Sequence, residues 1–228
     1  MVELAAQSEL LQVEPITLDD LRALAAEGRL YAVIDACDAD PVPEKMQELG
    51  ASDSDDDPPD ARAVCLYRGD SRRDFFTFAP FLAHVDEALL DWIADTLWAE
   101  PWGIFLVAGP HIAPDSPGAT TEAAHAPRTA TFPDTPPAPS RVHPCPSAVS
   151  FDAIRRHLRK FLKVKSPEGK TLYFRYYDPR ILAAFLPACN EQELRQLFGP
   201  LESFITAGAW SGEEQIMRHT FADVVGDT

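Results

Sequence analysis

The chain has 228 residues, 25% of them charged, and a formal net charge of −16. A chain this long buries roughly 70% of its unfolded surface and needs no covalent staples, and its 46% hydrophobic and 10% aromatic content is that of a globular protein. No run reaches the ~20 apolar residues of a membrane span, Met1–Gln12 has no basic stretch ahead of an apolar core, and the acidic balance argues against nucleic-acid binding. These features predict a cytoplasmic protein with neither membrane nor nucleic acid as partner. The four cysteines, Cys37, Cys65, Cys145 and Cys189, form no CxxC pair, and no histidine stands at finger spacing. They predict reduced thiols and no metal site.

Thr17 is placed to cap a helix within Ile16–Glu27 that carries Leu18, Leu21 and Leu24 at helical spacing, and Gly28 ends it. Leu30–Ala36 (LYAVIDA) is a short apolar run with β-branched residues, which predicts a buried strand. Asp35 lies near its C-terminal end, where open α/β sheets bind ligands, so it is either a catalytic carboxylate or the cap of the next turn. A short helix is predicted over Pro43–Leu49. Ser52–Asp60 (SDSDDDPPD) lacks the central Gly and terminal Glu of a calcium loop and reads as a solvated acidic loop. Ala63–Arg68 (AVCLYR) predicts a second strand, and Phe75–Val85 a core-lining aromatic segment. Asp86–Leu97 predicts a helix with Leu89, Leu90, Ile93 and Leu97 on one face. Trp102–Ala108 predicts a central strand.

Residues 109–150 are rich in Pro and Ala without a periodic apolar pattern, as a flexible insert would be. It reads as a linker or as a segment for a proline-reading module. Ser150 then caps a helix whose stripe is Phe151, Ile154, Leu158, Phe161 and Leu162. The other faces carry Arg155, Arg156, Arg159, Lys160 and Lys163. A hairpin follows: Lys163–Lys165, a turn at Ser166–Gly169 and Leu172–Tyr177. Asp178 and Pro179 start the next helix as N-cap and first residue. Asn190 caps another helix that ends at Gly199–Pro200. Phe204–Thr206 reads as an edge strand and Glu213–Val225 as a last helix.

Charge is uneven along the chain. Arg141–Arg180 holds 10 basic residues against 3 acidic ones, a balance of +7, so the remainder carries −23. Such asymmetry either orients an acidic partner or marks a solvated helix face. No phosphate loop, nucleophile elbow or HExxH motif is present. The strongest constellation is Phe174-Arg175-Tyr176-Tyr177-Asp178-Pro179-Arg180. In one reading it is a framework motif, with an arginine on the outer oxygen of Asp178. In the other, Tyr and Arg are the residue types of interface hot spots.

The order LYAVIDA, FAPFLAHVD, WGIFLVAG, then SFDAIRRHLRKFLKVKSPEGKTLYFRYYDPR and LFGP resembles the effector adaptors of bacterial type VI secretion over Leu30–Gly208, the insert apart. The resemblance implies a cytoplasmic adaptor or chaperone that binds a type VI effector and helps mount it on the spike (VgrG-type) protein. It implies no catalysis and no cofactor. It also places Arg175, Asp178, Pro179 and Arg180 in the domain's framework, with the basic helix nearby.

The expected fold is α/β, a mixed sheet flanked by helices with a small helical C-terminal part. One adaptor domain spans 1–208, interrupted at 109–150, and a short helical extension spans 209–228. Partner contacts are expected from Arg155, Arg156, Arg159 and Lys160, with Tyr176 or Tyr177 pointing outward. Reversing Arg155, Arg156 and Arg159 is then expected to weaken capture and spare folding. The rival function is a small enzyme with carboxylates at Asp35 and Asp86.

Overall fold

The computed structural model describes residues 10–37, 39–109, 149–166, 168–209, 212 and 214–222. The expected insert at 109–150 lies almost wholly outside them. The strands are β1 (Leu11–Pro15), β2 (Leu30–Asp35), β3 (Ala63–Cys65), β4 (Pro80–His84), β5 (Gly103–Ala108), β6 (Lys163–Lys165), β7 (Thr171–Tyr173), β8 (Leu201–Gly208) and β9 (Gln215–Phe221). The helices are α1 (Leu18–Ala26), α2 (Pro41–Glu48), α3 (Gly69–Phe75), α4 (Glu87–Thr96), α5 (Phe151–Leu158), α6 (Pro179–Phe185) and α7 (Glu191–Phe198). Seven strands form one sheet in the order β1-β9-β8-β5-β2-β4-β3, and β6 and β7 form a separate hairpin.

The α/β class is as expected, but every described strand pair is antiparallel, not mixed. β2 and β5 are buried at every residue, because helices cover both sheet faces. On one face Leu30, Ala32 and Ile34 of β2 meet Leu21 and Leu24 of α1, Met46 of α2 and Leu90 and Ile93 of α4. On the other, Tyr31 and Val33 meet Ile154 and Leu158 of α5, Leu182 of α6 and Leu194 and Phe198 of α7. The period-2 pleat divides each strand between two cores. Continuous apolar runs are usually the mark of parallel strands; here they record two-sided burial alone.

Local signals set the helix starts. Thr17 and Asp20 form a capping box on α1, and Asn190 and Glu193 form another on α7. Asp86 and Ser150 accept from the backbone N–H of Leu89 and Ala153. Gly103 has φ +153°, and a Cβ there would stand 2.0 Å from Val33 O, so only glycine lets β5 approach β2.

Three expectations fail, for tertiary reasons. Phe204–Thr206 is not an edge: β8 runs over eight residues between β5 and β9. The C-terminal part is not a helical extension, because β9 pairs with β8 and β1 as an integral strand. Its Gln, Met and Arg favour helix intrinsically, but two distant strands supply its backbone partners. The aromatic segment is only half core: Phe76 and Phe81 are buried, whereas Phe75 and Phe78 are 52% and 59% exposed.

Candidate partner-binding site

The framework motif sits where β7 leads into α6. Asp178 is 3% exposed, and it caps α6 by accepting from the Arg180 backbone N–H at 3.0 Å. The Arg180 guanidinium closes over it, Nε to Oδ1 at 2.9 Å and Nη2 to Oδ2 at 2.6 Å. Burial opposes ionisation of this carboxyl, but the Arg180 bonds and charge hold it below the ordinary carboxylate range. Arg175 takes a different partner, the buried Asp35 at the end of β2. Asp35 also accepts from the Cys37 backbone N–H at 3.1 Å. Burial raises the Asp35 carboxyl above its usual value, with Cys37 N–H and Arg175 pulling the other way. So the motif ties the start of α6 to β2, beside the centre of the sheet.

Tyr176 and Tyr177 do not face outward. They are 0% and 2% exposed, so neither ring is open to a partner. Tyr176 donates to Leu158 O at 3.3 Å. Burial pushes both phenol pKa values far up, and Asp35 and Tyr67 add to the rise at Tyr177. The strand expected to run to Tyr177 ends at Tyr173, and the turn that follows puts both Tyr176 and Tyr177 in the second core while β7 stays exposed.

The basic helix is partly an internal device. Arg155 donates to Asp57 Oδ2 at 3.0 Å and pairs with Asp152. Arg159 donates from Nε to Leu66 O at 3.1 Å and from Nη2 to Cys65 O at 2.8 Å. It thereby satisfies carbonyls at the end of edge strand β3. Asp57, expected to be solvated, is instead buried between Arg155 and the 1%-exposed side chain of Arg72. Arg72 also donates from Nε and Nη2 to Ser52 O at 2.9 and 2.7 Å. The acidic loop is therefore the counter-charge of the basic helix within the same chain. Arg156 and Lys160 stay exposed, with Arg156 paired to Asp152 at 3.0 Å. The expectation that reversing Arg155, Arg156 and Arg159 spares folding is corrected accordingly, since two of the three hold the frame.

The open surface lies next to this frame, on the β6–β7 hairpin. Val164, Leu172 and Tyr173 are 42%, 50% and 46% exposed, and Lys163, Lys165 and Lys170 stand among them. The hairpin pairs with no other described strand, so both its edges are open. At its root a cleft of about 170 Å³ opens against α3 and α5. Arg68, Arg159 and Lys163 bring positive charge to the lining, and Leu66 and Leu162 make its apolar part. Tyr67 and Tyr173 line it as a tilted pair with ring centroids 5.1 Å apart. Lys163 Nζ lies 5.2 Å from the Tyr173 ring centre. Tyr173 donates to Ser71 Oγ at 3.0 Å, which holds the hairpin to α3. No carboxylate lines the cleft. Burial first, then the like charges of Arg155, Arg68 and Arg72, lower the Arg159 pKa to about 10. It stays a cation at neutral pH in a setting short of negative charge.

The structure thus brings Arg159 into the cleft and keeps Arg155, Tyr176, Tyr177, Asp178 and Arg180 in the frame. Sequence reasoning missed Arg68, Tyr67, Ser71, Tyr173 and Leu172. The signal available was a lysine-flanked hairpin whose apolar residues had no second apolar run to cover them. The rival carboxylates each have structural partners: Asp35 as above, and Asp86 with Arg62 at 2.7 Å. Among the described residues, no group of three or more His, Cys, Asp and Glu could hold a metal ion. No helix among them is long and apolar enough to cross a membrane.

A family model described as a domain of unknown function (DUF4123) matches residues 30–114 and 108–196. The two matched pieces meet where the Pro-rich segment begins. No curated protein and no solved structure matches the chain.

Proposed function

The chain belongs to the DUF4123 family, and from that premise we propose that it is a non-enzymatic cytoplasmic adaptor that binds a type VI secretion effector and helps load it onto the spike protein. The observation that carries the reading is the β6–β7 hairpin. It exposes Val164, Leu172 and Tyr173 beside three lysines, with an aromatic and cationic cleft at its root. Apolar side chains held out on a short hairpin cost solvation unless a partner covers them. Non-polar burial there supplies most of the affinity, at ~25 cal/mol per Å². The lysines set orientation and association rate.

The family resemblance of FRYYDPR and the basic helix supports the same reading, with those residues as the frame that holds the hairpin in place. The enzyme reading has less behind it. Asp35 is bound by Arg175 and the Cys37 N–H, so the buried carboxylate already has structural partners, one of them a partly exposed guanidinium.

The test is co-expression of a tagged copy with each protein encoded beside it, followed by pull-down and mass spectrometry. A stable complex with one large neighbour, and a further complex of that pair with a spike protein, is the expected result. A monomer that captures no neighbour would remove the adaptor role and return attention to Asp35 with a substrate screen.

A further inference from the structure

The cleft at the hairpin root has the properties of a recognition site for one kind of side chain. Arg159 is fixed by two backbone carbonyls, through Nε and Nη2. Its Nη1 makes no hydrogen bond among the described residues, so a planar donor is held ready at the cleft wall. Arg68 also lines the cleft, is exposed, and forms no ion pair among the described residues. Lys163 adds a third cation from the hairpin. The Tyr67 and Tyr173 rings supply flat apolar walls. An anion entering here meets three cations and no carboxylate, on a chain whose net charge is −16. The acidic remainder of the chain, at −23, repels an acidic partner while the basic region that holds this cleft attracts it.

We propose that the cleft receives an acidic side chain from an extended acidic and apolar segment of the bound protein, with its carboxylate on Arg68 and Arg159 and its flanking carbons on Tyr67 and Tyr173. The proposal deepens the adaptor reading and rests on it. A guanidinium pair binds a carboxylate with directional, charge-assisted hydrogen bonds, so it selects for position as well as sign. The neighbouring apolar residues of the same segment pack on Leu172 and Val164, which the hairpin leaves open. The like charges of Arg155, Arg68 and Arg72 around Arg159 are relieved when the carboxylate arrives.

The probe is a labelled peptide of alternating Asp with Phe and Leu, titrated by fluorescence anisotropy against the full chain, with an Asn-for-Asp peptide as control. The wild-type chain is expected to bind the acidic peptide saturably and the Asn peptide at least about tenfold more weakly. R68E/K163E is expected to lose at least about tenfold in affinity. Both side chains lie at the surface, and neither has an ion-pair partner among the described residues, so the fold should persist. The neutral R68Q/K163Q variant repeats the test if it does not. R156E/K160E, on the same helix side but away from the cleft lining, is expected to match the wild type.

Equal binding of both peptides, unchanged affinity in the cleft variants, or tighter binding of a single-stranded oligonucleotide than of the acidic peptide would each overturn the proposal. The two readings separate in the pull-down. A neighbour captured equally by wild type and R68E/K163E overturns the cleft and leaves the adaptor role standing. No capture by wild type removes the role, while the peptide titration still decides what the cleft binds.

Discussion

Replacing Asp57 with asparagine removes one charge from a network in which three elements meet. The Asp57 side chain is 6% exposed and the Arg72 side chain 1% exposed. Asp57 accepts from Arg72 Nη1 at 3.1 Å and from Arg155 Nη1 at 3.0 Å. The buried guanidinium of Arg72 would keep its bonds to Ser52 O and a distant Asp55 at 3.7 Å, but lose its close counter-charge. Breaking a buried pair from one side costs about 3–5 kcal/mol, because the remaining charge stays desolvated. The Ser52 bonds put the expected loss for Asp57→Asn near the lower end, about 3 kcal/mol. For a chain of this size that is a fall in Tm of roughly 6–12 °C. Urea unfolding followed by circular dichroism measures it, with the slope compared to exclude a change in mechanism. Asp55→Asn is the control, since its Arg72 contact is 3.7 Å long, its side chain is 56% exposed, and an asparagine carbonyl can still accept from the Gly69 backbone N–H that Asp55 meets at 2.9 Å; it should cost ~0–1 kcal/mol. A loss below about 1 kcal/mol at Asp57→Asn would show that the acidic loop does not anchor the basic helix.

The same frame predicts that the triple variant R155E/R156E/R159E loses roughly 3 kcal/mol or more in the same assay, while R156E/K160E unfolds like the wild type. Gly199 has φ +48°, and a Cβ there would lie 2.3 Å from His157 Cε1; Gly199→Ala should cost roughly 2–4 kcal/mol, combining overpacking with a left-handed backbone. The pH response follows from two buried histidines, His157 and His219, and the partly buried His84. Burial first lowers the pKa of His84, His157 and His219, with Lys160 adding at His157 and Arg62 at His84, while hydrogen bonds to backbone carbonyls oppose it at His157 and His84. With the folded value below the unfolded one, the unfolded chain takes up protons first, so stability present above about pH 6.5 is lost as pH falls through the folded values. Scanning calorimetry between about pH 7.5 and about pH 5.5 should show Tm dropping, and a flat or rising Tm would contradict the burial of these rings.

Most elements were legible because their signals are local. The caps at Thr17, Asp86, Ser150, Asp178 and Asn190 each act within three residues of themselves. The runs LYAVIDA and WGIFLVA are apolar throughout, and both form strands of the central sheet. The end of the chain was not legible, since β9 holds its form through β8 and β1, one of them about two hundred residues away in sequence. The site was half legible. Basic residues around α5 announced an electrostatic feature, but not which of them face inward.

Composition and spacing by themselves determined the α/β class, most of the helix starts, the burial of the central strands and the concentration of positive charge between Arg141 and Arg180. Those properties depend on periodicity and on contacts a few residues apart. Tertiary structure alone decided that the sheet is antiparallel throughout, that Asp57 is buried against Arg72 and Arg155, and that Arg175 reaches Asp35 rather than Asp178. It also decided that Tyr176 and Tyr177 are core while Leu172 and Tyr173 are surface. Charge and aromaticity are properties of a residue, but exposure belongs to the packing around it. Only the packing separates an arginine that holds a loop from one that awaits a partner.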